Sequence, residues 1–189
     1  MKRGFTLVEI LVAVTIFVSV VAVASSLFVS AIQSQRRNLA YQELLDQTSY
    51  VMEYMSRSIR MAKRADGTCT VNSDYNYEAH TWNPPWGDIT CLHFKNYKDE
   101  CQYFCLHLTS SRLMTATTTN LSQPPPESEF TFLTSPDLTI SSFNVIDKGW
   151  QEGDTLQPLV AIFLEIKDKE QSSISIQIQT SISQRNLDM

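Results

Sequence analysis

From Phe5 to Ile32 the chain is apolar, with Glu9 as the one charged residue inside the run. That length exceeds the roughly 20 residues a helix needs to cross a bilayer, so the pattern predicts a membrane span. Beyond it, Tyr41, Leu44, Thr48, Met52, Met55, Ile59 and Ala62 recur at steps of three and four, while Glu43, Asp46, Glu53, Arg57, Arg60 and Lys63 mostly fall elsewhere. This is the signature of an amphipathic helix. No Pro or Gly interrupts the chain from Phe5 to Ala65, so the two patterns predict one continuous helix of about 60 residues, stopped by Asp66-Gly67.

The period then shortens to two. Asp88 to Lys95 and Glu100 to Thr109 flank the turn-rich Asn96-Tyr97-Lys98-Asp99, a predicted hairpin in which Leu92 and Phe94 share a face with Phe104, Leu106 and Leu108. Leu138 to Ile146, Pro158 to Lys167 and Ser172 to Ile182 are further predicted strands. In the last, Ile174, Ile176, Ile178, Thr180 and Ile182 alternate with Ser175, Gln177, Gln179 and Ser181, giving one dry face that should lie on the amphipathic half of the helix. Thr115 to Glu129, with Pro124-Pro125-Pro126, is expected to be an exposed loop. Residues 75–86, crowded with Tyr75, Tyr77, His80, Trp82, Pro84, Pro85 and Trp86, are expected to form a loop folded back on the sheet, with stacking on bases or sugars as the competing reading. The predicted class is α+β: a long N-terminal helix packed on an antiparallel β-sheet head.

Composition narrows the function. With 189 residues, 43% hydrophobic and 19% charged, the chain suits one membrane-anchored domain with a globular head. A net charge of -5, which loss of Lys2 and Arg3 would make more negative, argues against general nucleic-acid binding. There is no Gly-x-Ser-x-Gly elbow or phosphate-binding glycine loop, so neither enzymatic activity nor a cofactor is expected. The four cysteines allow three pairings. If the hairpin sets Cys91 against Cys105, then Cys91, Cys101 and Cys105 turn away from the Leu92/Phe94 side and Cys69 is left for Cys101. Cys91 with Cys105 and Cys69 with Cys101 is therefore the preferred pairing, the other two remaining open. Cys91-Leu92-His93 and Cys105-Leu106-His107 also form a two-Cys, two-His set that could hold zinc, although their spacing matches no strong zinc module and oxidation competes for exported thiols. Asp147, Glu152 and Asp154 around Gly149 and Gly153 depart from the calcium-loop pattern and read as a solvated turn. No metal is expected.

The amino terminus carries the sharpest signal. A carboxylate deep in a bilayer helix costs about 2.5–3.5 kcal/mol on insertion scales and calls for a partner. No Lys or Arg on this helix is placed to supply one, whereas a cut after Gly4 would give Phe5 a free amine near the depth of Glu9. Lys2-Arg3-Gly4-Phe5-Thr6-Leu7-Val8-Glu9 resembles the leader and start of type IV pilins and of the pilin-like subunits, or pseudopilins, of type II secretion. The resemblance implies that a prepilin peptidase cleaves after Gly4 and methylates the amine of Phe5, and that Glu9 meets the amine of a neighbouring subunit during assembly. An ordinary signal peptide cut near Ala22-Val23-Ala24 is the rival, but its apolar region would be shorter and free of acid.

Many major pilins carry a proline in the membrane half of this helix; this chain has none there. More loosely, Gln47 to Met61, Leu133-Thr134-Ser135, Asp154 to Pro158 and Gln179 to Asn186 are similar to J-type minor pseudopilins and W-type minor pilins. The implied organisation is a leader at 1–4, a membrane or filament-core helix at 5–32, its amphipathic continuation at 33–66 and a β-rich head at 67–189. The implied role is a non-catalytic minor subunit that primes or caps a filament. Its partners would be other pilin subunits, the prepilin peptidase, the inner-membrane assembly platform and membrane lipid. It would sit as a single-pass inner-membrane protein with an extracytoplasmic head until assembly. A membrane-anchored or secreted binding protein using residues 75–86 is the alternative.

Overall fold

The computed structural model describes residues 4, 6–63, 69–70, 75–119, 124–148, 157–169 and 173–185. Two compact units divide the chain, Met1–Ala40 and Tyr41–Met189. A single helix, α1 (Leu7–Arg60), supplies nearly all of the described first unit and the opening of the second.

In the second unit the expected stripe is buried at Leu44, Thr48, Met52, Met55, Ile59 and Ala62, and Val51 joins it. Tyr41 does not: it is 48% exposed. The helix also ends at Arg60, short of the expected stop, where side chains and backbone from later in the chain take up the carbonyls that a helix end cannot satisfy itself. The Tyr77 hydroxyl donates to the Ile59 carbonyl at 2.8 Å, the Arg185 N–H to that of Arg60 at 2.9 Å, and the Gln184 side-chain amide to that of Ala62 at 3.0 Å. Lys63 already donates its N–H to Lys95 at 2.9 Å. Asp66-Gly67 lies outside the described residues.

Two antiparallel sheets complete the α+β architecture. The first runs β1 (Tyr77–Trp82), β2 (Ile89–Lys95), β3 (Cys101–His107), β4 (Arg112–Thr118), β5 (Thr131–Phe132) in spatial as in chain order, and the second runs β6 (Leu138–Lys148), β7 (Leu159–Asp168), β8 (Ser175–Ser183). Leu92, Phe94, Phe104, Leu106 and Leu113 share the main core with the buried helix face and with Val160, Ile162, Leu164 and Ile166 of β7. As the alternation requires, Ile176 and Ile182 of β8 enter the same core while its odd-numbered positions are exposed. The other face of the first sheet is also dry, with Ile89, Cys91, Cys101, Tyr103, Cys105 and Met114 beneath Trp82, Trp86 and Phe130.

Three expectations need correcting. Residues 75–86 are not wholly loop, since β1 pairs along β2 from Tyr77 opposite Phe94 to Trp82 opposite Ile89. The expected loop from Thr115 begins later, because Thr115 to Thr118 finish β4, paired to β3. Leu108 falls beyond β3 and is 46% exposed rather than part of the hairpin's dry face. The turn itself is as read: the Asn96 side-chain oxygen accepts the N–H groups of Lys98 (2.8 Å) and Glu100 (3.0 Å), the local bonding that makes Asn a turn former.

Candidate functional site: the N-terminal motif and its helix

Thr6 caps α1. Its hydroxyl accepts the Glu9 N–H at 3.3 Å and its carbonyl accepts the Ile10 N–H at 3.3 Å, so Thr6 acts as the N-cap of the helix. Glu9 is thereby fixed in the first turn, at the positive end of the helix dipole. Its side chain is exposed, and no partner for the carboxylate occurs among the described residues. Glu9, Ile10, Ala13, Val14 and Phe17 line one shallow groove, so the carboxylate sits on an otherwise apolar flank. Gly4 is exposed, with open space around it. Phe5 lies outside the described residues.

Around that carboxylate the helix is bare. Leu7 is 78% exposed, Phe17 69% and Phe28 68%, and the most apolar 18-residue window, of mean hydropathy 2.7, buries none of its residues. Among the described residues this is one helix long and apolar enough to cross a membrane. Four of its hydroxyls suit such a setting, since they donate back to a carbonyl of the preceding turn: Thr15 to Val12, Ser19 to Ile16, Ser25 to Val21 and Ser26 to Val23, all at 2.7–2.8 Å. No polar group of these four is left for lipid to solvate. Chemically, the surface can pack on apolar helices or acyl chains and can receive one cation at Glu9.

The cysteines form the disulfides Cys69–Cys101 and Cys91–Cys105, with Cys91 directly opposite Cys105. That register also dismantles the zinc set. The two Cys-x-His steps run in opposite directions, leaving His93 opposite Tyr103 and His107 opposite Ile89, which separates the histidines by roughly 13 Å at 3.3 Å per residue. His93 Nδ1 lies 2.7 Å from the Cys69 carbonyl, which only accepts, so Nδ1 carries the proton. Its Nε2 is 3.8 Å from Glu78 Oε2, and the ring lies against Trp82 and Tyr103. Burial pulls the His93 pKa below its ordinary value, opposed by the Cys69 carbonyl and the Glu78 carboxylate. His107 Nδ1 accepts the Ser110 N–H at 3.0 Å. Among the described residues no group of three His, Cys, Asp or Glu is arranged to hold a metal. Asp147 belongs to β6 rather than to a turn; Glu152 and Asp154 lie outside the described residues.

The aromatic segment is largely consumed by packing. Trp82 contacts His80, His93 and Tyr103, and Trp86 stacks on His107 and contacts Phe130. The segment folds onto the sheet's second face, partly as a strand of it. What sequence reasoning missed at the site is Thr6, although its signal, a Thr three residues before Glu9, was visible.

Residues 1–25 match the family described as the prokaryotic N-terminal methylation motif. A pilin-like protein of Thermus thermophilus, PilA3, is 45% identical over 62 residues, which is 33% of this chain and 27% of that relative. No solved structure matches the chain. Through this N-terminal segment, with its capped Glu9 and the start of its bare apolar helix, the chain is similar to type IV pilins and pseudopilins.

Proposed function

We propose that the chain is a minor subunit, similar to the J-type or W-type, that primes or caps a type IV pilus-like or type II secretion filament without catalysing a reaction. The carrying observation is the exposed Glu9 carboxylate on an unburied apolar helix. A surface of this kind is stable in lipid or against other such helices, not in water. In this reading a prepilin peptidase cuts after Gly4 and methylates Phe5. Residues 5–32 then hold the subunit in the inner membrane, with its head outside the cytoplasm, until the assembly platform transfers it to the filament. There Glu9 meets the amine of a neighbouring subunit, so helix packs on helix in one register. An oppositely charged partner removes the cost of an unpaired acid in an apolar core.

The two disulfides fit a head folded beyond the cytoplasmic membrane, where thiols oxidise. The absent stem proline and the looser pattern of the head support a minor rather than a bulk subunit. The alternative of a binding protein using residues 75–86 is less supported, because Trp82 and Trp86 face the sheet's own aromatic and histidine side chains.

A Glu9→Ala variant tests the mechanism. It should insert in the membrane in normal amount yet be lost from sheared filaments. Incorporation at the wild-type level would contradict the role given to Glu9.

A further inference from the structure

In the second unit, the end of α1 and the end of β8 enclose a groove of about 840 Å3. Arg57, Arg60 and Arg185 line it, together with Glu53, Met61 and Ser183. Its volume falls within the range of ligand-binding clefts, roughly 300–1,000 Å3. The basic residues are held together by the fold, not gathered by chance of side-chain position. The Arg185 N–H donates to the Arg60 carbonyl at 2.9 Å, and the intervening wall is built by Gln184, whose amide donates to Ala62 at 3.0 Å and whose carbonyl accepts from Gln157.

Charge makes this groove an outlier. The chain has a net charge of -5, and four of its basic residues, Lys2, Arg3, Arg36 and Arg37, precede Tyr41 against the single acid Glu9. The second unit is therefore more acidic than the whole, yet here three guanidinium groups face one carboxylate. That carboxylate, Glu53, is taken by Arg57 at 2.8 Å. Arg60 and Arg185 are both exposed, and both line the groove from backbones joined by a direct hydrogen bond. A carboxylate suits the planar fork of arginine.

The groove also borders β8, which pairs with β7 on one side and with no described strand on the other. A free strand edge offers main-chain donors and acceptors that an extended peptide can use. We propose that this groove binds an extended acidic peptide segment of a partner protein, its carboxylates on Arg60 and Arg185 and its backbone along β8. A polyphosphate backbone fits less well, because it has no main-chain N–H and C=O groups to pair with the edge of β8. The inference is independent of the assembly role given to Glu9.

The test uses the full disulfide-bonded chain in detergent and a fluorescein-labelled Thr-Glu-Thr-Glu-Thr-Glu peptide, followed by anisotropy. Saturable binding is expected, weakening with added salt and at least tenfold weaker in an Arg60→Ser, Arg185→Ser double variant. The backbone bond between these positions survives both changes, and unchanged circular dichroism would establish that the variant is folded. Lys98→Ser, an exposed site on the β2–β3 turn, should bind as wild type. Absence of saturable binding, or an equal loss in Lys98→Ser, would overturn the proposal. So would tighter binding of single-stranded DNA or phosphatidylglycerol vesicles that depends on the same two arginines.

Discussion

Replacing Cys69 and Cys101 together by Ala removes the cross-link between the chain just beyond the helix and the start of β3. The bond closes a sequence separation of 32, and the chain-entropy relation for a loop of that size gives about 3.7 kcal/mol of stabilisation through the unfolded state. The same relation gives about 3.0 kcal/mol for Cys91–Cys105, separation 14. Both sulfurs of the longer link belong to residues no more than 1% exposed, so lost packing adds on the order of 1 kcal/mol. The local consequence falls on His93, whose Nδ1–H donates to the carbonyl of Cys69. Equilibrium urea unfolding of the non-reduced protein, followed by tryptophan fluorescence, should show a loss of about 4–5 kcal/mol. In a thermal melt this corresponds to a fall of roughly 8–20 °C for a unit of this size. A loss below about 1 kcal/mol would refute the reasoning, because it would mean that the bond does not restrict the unfolded chain as the loop-closure relation requires.

Two further outcomes follow from the second face of the first sheet. Gly87 has φ +136°, and a Cβ there would come 2.8 Å from His107 Nε2, on a ring held by Ser110 and stacked on Trp86; Gly87→Ala should cost about 1–3 kcal/mol in the same urea assay, and a neutral result would contradict the packing described. His93 has its folded pKa lowered by burial, so the unfolded chain binds more protons as pH drops through about 6.5 and stability falls toward the folded pKa, by at most about 1.4 kcal/mol per pH unit. Urea midpoints measured across pH 5–8 should lose this slope in His93→Gln, and an identical pH profile in the two proteins would count against it.

The parts of the fold legible in the sequence are those where one face is wet. β8 alternates Ile with Ser and Gln because one side meets solvent, and the second half of α1 shows its stripe for the same reason. The first sheet is dry on both sides: all seven residues of β3 are buried, and in β4 the adjacent Leu113 and Met114 enter different cores. Alternation vanishes there, so β4 merged into a Thr-rich loop. β1 was hidden by its chemistry, since Glu78 and His93, directly opposite each other, are both buried despite being polar. The hairpin register was recoverable because its turn is fixed by Asn96, which places Cys91 opposite Cys105. At the amino terminus the motif is plain, and Thr6, three residues before Glu9, already signals the cap that the geometry shows.

The central claim is that the chain is processed at Gly4 and matured at Phe5 for assembly through Glu9. An intact mass of the protein extracted from membranes of its native host tests this most directly. The predicted species lacks Met1 to Gly4, carries one added methyl group and retains both disulfides. An unprocessed mass, or one beginning after Ala24, would contradict the account.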